Sequence, residues 1–149
     1  MTPAATVLAL GPRRWAFLVR VAATAVGAEV AVRLLPLRIA ARLAGAHLEL
    51  EPTVAERDAW QDLPPRDRDR CDLALRLLGR RPLNATCLRR SLVLASVLRH
   101  RRPALRVGVA KSGGAVVAHA WLELAGATLD PDAVQFRPLA PVRSTAGGR

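Results

Sequence analysis

Three residue types with known chemistry occur late in the chain: a thiol at Cys87, an imidazole at His119 and a carboxylate at Asp130. A thiol is a useful nucleophile only as a thiolate. Cys87 opens an apolar run in which Leu88, Leu92, Ala95 and Leu98 recur at helical spacing. The thiol is therefore expected at a helix N-terminus, where free N–H groups and the macrodipole favour an anion. Arg89 and Arg90 follow it directly. The same N–H groups would stabilise the oxyanion of an acyl intermediate. His119 is a candidate general base. Asp130, eleven residues on and across a turn at Gly126, is a candidate for fixing the imidazole tautomer, with Asp132 as its rival. Each has a plainer role open to it: a buried core cysteine, a hydrogen-bonded half-buried histidine, a solvated turn aspartate.

These side chains need elements to hold them. The Cys87 helix is expected to run to about Arg101, with Asn84 or Thr86 as its N-cap and Pro103 as its stop. The pattern then changes period. Leu105, Val107 and Val109 alternate as a strand, Lys111–Gly114 is a turn, and Val116–Leu124 is a second strand. Thr128–Leu129 begins a third short strand that ends at Asp130-Pro131. In the second strand Val116, Ala118, Ala120, Leu122 and Leu124 share one face, and Val117, His119, Trp121 and Glu123 the other. The Cys87 helix is expected to pack on the His119 face. Trp121 would wall the cleft or fill the core, and Glu123 is read as a solvated carboxylate.

Upstream, the chain reads as helices. Residues 15–32 are apolar but interrupted by Arg20 and Glu29, whereas a membrane span wants about 20 uninterrupted apolar residues. Arg20 also argues against a secretory signal. Trp15, Leu18, Val19, Ala22, Val26 and Val30 fall near one face, so an amphipathic docking helix is expected, with peripheral membrane contact as one use for it. Leu37–Ala44 forms a further helix before Gly45. Thr53 and Glu56 have capping-box spacing, so a short helix is expected to about Leu63. Residues 67–79 place Cys71, Ala74, Leu75 and Leu78 on one stripe, and Cys71 is read as core. Helices first and an antiparallel meander after them make an α+β domain. The expected organisation is a helical docking region over 1–62, a catalytic core over 63–141 and a disordered tail over 142–149.

Composition excludes several classes. The 149 residues suffice for one core. Two cysteines cannot build a disulfide scaffold or a four-thiolate zinc site. There is no Tyr, and five aromatic residues make a poor platform for stacking single-stranded nucleic acid. The net charge is +11, concentrated in residues 63–106, which hold 12 Arg against 3 acids. Such a surplus fits a nucleic-acid binder or simply an arginine-rich codon bias, and it surrounds Cys87 in either case. His47 and His100 lack partners at metal-ligand spacing, and Gly108–Ser112 has the wrong spacing for a phosphate loop. No metal or cofactor is therefore expected.

The run from Cys87 to Arg99, then Arg106-Val-Gly-Val109, His119-Ala-Trp-Leu-Glu123 and Gly126-Ala-Thr-Leu-Asp-Pro131, resembles the transglutaminase-like cysteine peptidases of lasso-peptide biosynthesis. The likeness spans residues 67–141. It implies a papain-like core with Cys87 as nucleophile, His119 as general base and Asp130 as its orienting acid. The implied reaction is removal of the leader from a ribosomally made precursor peptide through a thioester. A separate leader-binding protein and an ATP-dependent macrolactam cyclase are the implied partners, because residues 1–62 lack the strand pattern of a fused leader-binding module. Nucleic acid is not an implied partner, and the cytoplasm is the implied compartment. The His119–Asp130 segment is shorter than in some relatives, so Asp130 and Asp132 both stay open. The same three residues would also serve an acyl transferase in which an amine replaces water. A non-catalytic basic binding protein would need none of them.

Overall fold

The structure, a computed structural model, describes residues 11–50, 57–83, 85–130, 133 and 136–138. Helix α1 spans Pro12–Leu34 and α2 spans Leu37–Ala44, separated by Pro36, which occupies the N-cap position of α2. α2 ends at Gly45 with φ 90°, and a Cβ there would lie 2.6 Å from the Arg99 Cβ. Only glycine fits both the left-handed turn and the close approach. Strand β1 is His47–Leu48. Helix α3 runs Pro65–Leu78, with Pro65 in the first turn, where its missing N–H costs no hydrogen bond. Helix α4 runs Cys87–Val97, and a single 3₁₀ turn, Arg99–Arg101, finishes the expected stretch.

The sheet follows. Strand β2 is Ala104–Ser112 and β3 is Ala115–Leu124, joined by a two-residue turn at Gly113-Gly114, both at positive φ. Strand β4 is Ala127–Thr128 and β5 is Arg137–Pro138. β2–β3 and β3–β4 pair antiparallel, as expected. The sheet is mixed rather than purely antiparallel, because β1 joins one edge of β2 in parallel at Ala104–Leu105. β5 pairs with β2 farther along, at Gly108–Val109. A two-residue strand carries too little alternation to be visible in sequence.

Two other expectations fail. Arg57–Leu63 is not helical, and the capping-box residues Thr53–Glu56 lie outside the described residues. Backbone groups here pair with the sheet instead: Ala59 N–H donates to Thr128 O, and Thr128 N–H donates to Arg57 O. The second concerns β3. The register opposes Leu105 to Leu122 on one face and Arg106 to Trp121 on the other. Leu105, Leu122 and Leu129 join the core formed with the helices, which includes Leu78, Leu92 and Leu98. The helical layer therefore covers the Leu122 face of β3, not the His119 face.

α1 contributes Phe17, Val21, Ala25 and Ala28 to that same core. The stripe singled out from sequence is a different one, and its Trp15, Val19, Val26 and Val30 are exposed.

Candidate active site

Cys87 is the first residue of α4, and Thr86 takes the N-cap position with extended backbone. The Thr86 hydroxyl makes no capping bond, while its carbonyl accepts from Arg90 N–H at 2.9 Å. Asn84, the alternative cap, lies outside the described residues. α4 is fixed against the sheet one turn later: buried Ser91 donates its hydroxyl to Ala120 O at 3.1 Å. That bond ties the helix that carries Cys87 to the residue beside His119.

His119 is the first β3 residue, reading from the hairpin end, that is not fully exposed; Ala120–Glu123 after it are buried. Its Nε2 lies 2.7 Å from Asp130 Oδ2. Asp130 is placed by β4. Leu129 N–H donates to Leu122 O, and Thr128 Oγ1 both accepts from Asp130 N–H and donates to Asp130 O, each at 3.0 Å. Asp132 lies outside the described residues.

Cys87, His119 and Asp130 line one cavity of about 420 Å³. Arg90 and Ser91 from α4 and Trp121 and Leu129 from the sheet share its wall. Both faces of β3 contribute, so His119 reaches the thiol's cavity although the helix packs on the other face. With Nε2 donating to the carboxylate, Nδ1 is the basic ring nitrogen left for a thiol proton. A thiol, a ring nitrogen able to take its proton and a carboxylate to hold the ring are the parts of a nucleophile–base–orienter set.

Sequence reading missed what lies around His119. Phe136 stacks on its ring with centroids 4.6 Å apart and planes at 26°, and Trp121 lies at 6.1 Å. Glu123 is not solvated: it is buried, accepts Trp121 Nε1–H at 3.1 Å and pairs with buried Arg106 at 2.9 Å. Arg106 also bonds Glu49 at 2.8 Å. Trp121 thus has its orientation set by a buried ion pair, and Trp121, Phe136 and the imidazole form a three-ring cluster, with Trp121 and Phe136 6.5 Å apart. The opposed register of Arg106 and Trp121 was the one signal that would have exposed this network.

Cys71, the other thiol, is fully buried in α3, and burial pushes its pKa up to about 12. It is inert at neutral pH. Among the described residues, no group of three or more His, Cys, Asp or Glu is placed to hold a metal ion.

A family model described as the transglutaminase-like superfamily matches residues 31–143. The chain belongs to that superfamily, whose members are in general cysteine proteases or acyl transferases. No curated protein and no solved structure gives a match.

Proposed function

We propose that this member of the superfamily is a cysteine peptidase that removes the leader from a lasso-peptide precursor. The observation that carries the reading is the joint lining of one cavity by Cys87, His119 and Asp130, with His119 and Asp130 2.7 Å apart. The narrower assignment to lasso precursors rests on the likeness of the Cys87, Arg106–Val109, His119–Glu123 and Gly126–Pro131 segments.

In this reading His119 Nδ1 takes the Cys87 proton and Sγ attacks the scissile carbonyl carbon. Amides at the start of α4 offer hydrogen bonds to the oxyanion. The C–N bond breaks, His119 gives the proton to the departing amine, and a thioester remains. His119 then takes a proton from water, the hydroxide attacks the thioester, and the thiolate leaves and is reprotonated. Asp130 keeps Nε2 as donor and balances the imidazolium throughout. Arg90 on the cavity wall suits a carboxylate or carbonyl of the substrate.

A separate leader-binding protein would present the precursor, and an ATP-dependent cyclase would close the released segment, which puts the enzyme in the cytoplasm. The test is incubation with precursor and leader-binding protein, followed by weighing the products. Peptide fragments that sum to the precursor plus one water are expected, and none with Cys87→Ala. Products joined to an added amine would replace this reading with acyl transfer. Undiminished cleavage by Cys87→Ala would overturn both.

A further inference from the structure

We propose that α1 and α2 form an interfacial platform that binds the surface of an anionic phospholipid membrane. The inference is independent of the peptide-cleavage reading.

α1 carries two apolar stripes. Phe17, Val21, Ala25 and Ala28 enter the core. Trp15, Val19, Val26 and Val30 recur at intervals of four, seven and four residues, within an arc of about 60° on the nearly opposite side. Val19 and Val26 are 61% and 59% exposed. Leu34, Leu35, Ile39 and Leu43, at the end of α1 and along α2, are exposed as well, with Leu34 75% exposed. α1 alone is about 35 Å long at 1.5 Å per residue. Monomeric proteins seldom leave so long an apolar strip in water.

Charge identifies the occupant. α1 and α2 hold six exposed arginines (Arg13, Arg14, Arg20, Arg33, Arg38 and Arg42) and one acid, Glu29. Glu29 is occupied by Arg33 at 2.6 Å and by Arg89 of α4 at 2.9 Å. Arg13 and Arg14 turn toward α3, where they line a cavity with Asp69 and Asp72. Arg33 falls on the ridge itself, and Arg38 and Arg42 neighbour Ile39 and Leu43 along α2, where guanidinium groups reach phosphates while the apolar side chains enter the acyl region. Trp15 stands at the end of the ridge, suited to the headgroup level. A raised ridge, unlike a groove, requires no shaped counterpart and can sink into lipid.

α1 meets the length and composition of a membrane-spanning helix, with mean hydropathy 1.6. Its packing excludes that use. The Phe17–Ala28 stripe rests along the protein core, and Glu29 ties mid-helix to α4. α1 can therefore lie in the membrane plane with the domain above it, but cannot cross while the domain stays folded.

The experiment is vesicle flotation with the full chain. Phosphatidylcholine vesicles containing phosphatidylglycerol are expected to carry the protein, and pure phosphatidylcholine vesicles to carry much less. Arg38→Gln with Arg42→Gln should weaken flotation by roughly tenfold or more, and raised salt should do the same. Val19→Glu with Val26→Glu should abolish it while the circular dichroism melt stays unchanged, since both sites are exposed. Trp15 emission should shift to the blue with anionic vesicles, read as the difference from Trp15→Phe. Failure of the protein to float with anionic vesicles overturns the proposal, as does flotation of the Val19→Glu, Val26→Glu variant at parental levels. Lipid-independent self-association lost in that variant, without flotation of the parent, would assign the ridge to a second copy and equally overturn it.

Discussion

The chain holds two sets of thiol, imidazole and carboxylate, and they differ in almost everything except composition. In one, His119 Nε2 meets Asp130 Oδ2 at 2.7 Å on the wall of a cavity that Cys87 shares. In the other, His100 Nε2 meets Asp67 Oδ2 at 3.1 Å, and Cys71 lies one helical turn beyond Asp67. In the second set the thiol is fully buried. Arg101 Nε reaches the same Asp67 oxygen at 2.7 Å, so the carboxylate is committed to a cation that cannot titrate. Cys71 is sealed in the core with its proton held by burial and by the nearby Asp67 charge. One arrangement leaves a thiol and a ring nitrogen facing open space, and the other spends the same groups on holding α3 to the turn after α4. Residue types alone do not make a catalytic set; access of the thiol and the imidazole to a shared cavity does.

Substituting the thiols one at a time breaks or sharpens this contrast most. Cys87→Ala is expected to lower leader cleavage by at least about 10⁴-fold with an unchanged melting curve. Cys71→Ala should leave the rate within about twofold and lower stability by about 1 kcal/mol through the void it opens. Native protein should accordingly take one equivalent of iodoacetamide, at Cys87, and a second only after unfolding. Rapid native labelling of Cys71 would erase the distinction.

The carboxylates come next. Asp130→Asn preserves shape but loses control of the tautomer, and should cost kcat about 10²–10⁴-fold with little change in KM. Asp67→Asn should leave kcat within about twofold. A smaller effect is expected from Phe136→Ala, which removes the ring stacked on His119: about tenfold in kcat, because a loosened imidazole spends less time aligned. If instead Phe136→Ala altered KM alone, the ring would be a substrate contact rather than a support for the base.

How far these sites were legible depended on the range of the interactions. The start of α4 at Cys87, the strand bearing His119 and the Gly113-Gly114 hairpin follow from periodicity and turn chemistry, which act over a few residues. The face of β3 did not. Its even positions are all apolar, its odd positions include Trp121, and periodicity cannot say which face a helix will cover. Glu123 was misjudged for a related reason: its burial depends on Arg106, seventeen residues earlier and brought beside it only by the β2–β3 register. Phe136 reaches His119 because the chain turns back after β4, and no local pattern encodes that return. Asp130 meets His119 because Thr128 clamps its backbone after β4, a contact no spacing in the sequence encodes; Asp132 lies outside the described residues.

The last expected effect concerns stability and not the rate. Burial raises the pKa of Asp67, but hydrogen bonds from Arg101 and His100 and their charges outweigh it and hold the carboxyl below the usual range. A carboxylate whose pKa is depressed on folding contributes stability that is fully present above its unfolded pKa, about 3.9, and is lost as pH falls through the lower folded value. Asp67→Asn lacks that titration. The variant should be less stable than the parent by about 2 kcal/mol at pH 6, since a charged acceptor for two donors is gone. The gap should narrow steadily below about pH 4 as the parent's carboxylate takes up its proton. Urea melts of both proteins at pH 6, 4 and 3 read this directly. A gap that stayed constant to pH 3 would mean that Asp67 acts there through shape alone, and the second His–Asp pair would be ordinary packing rather than an ionic tie.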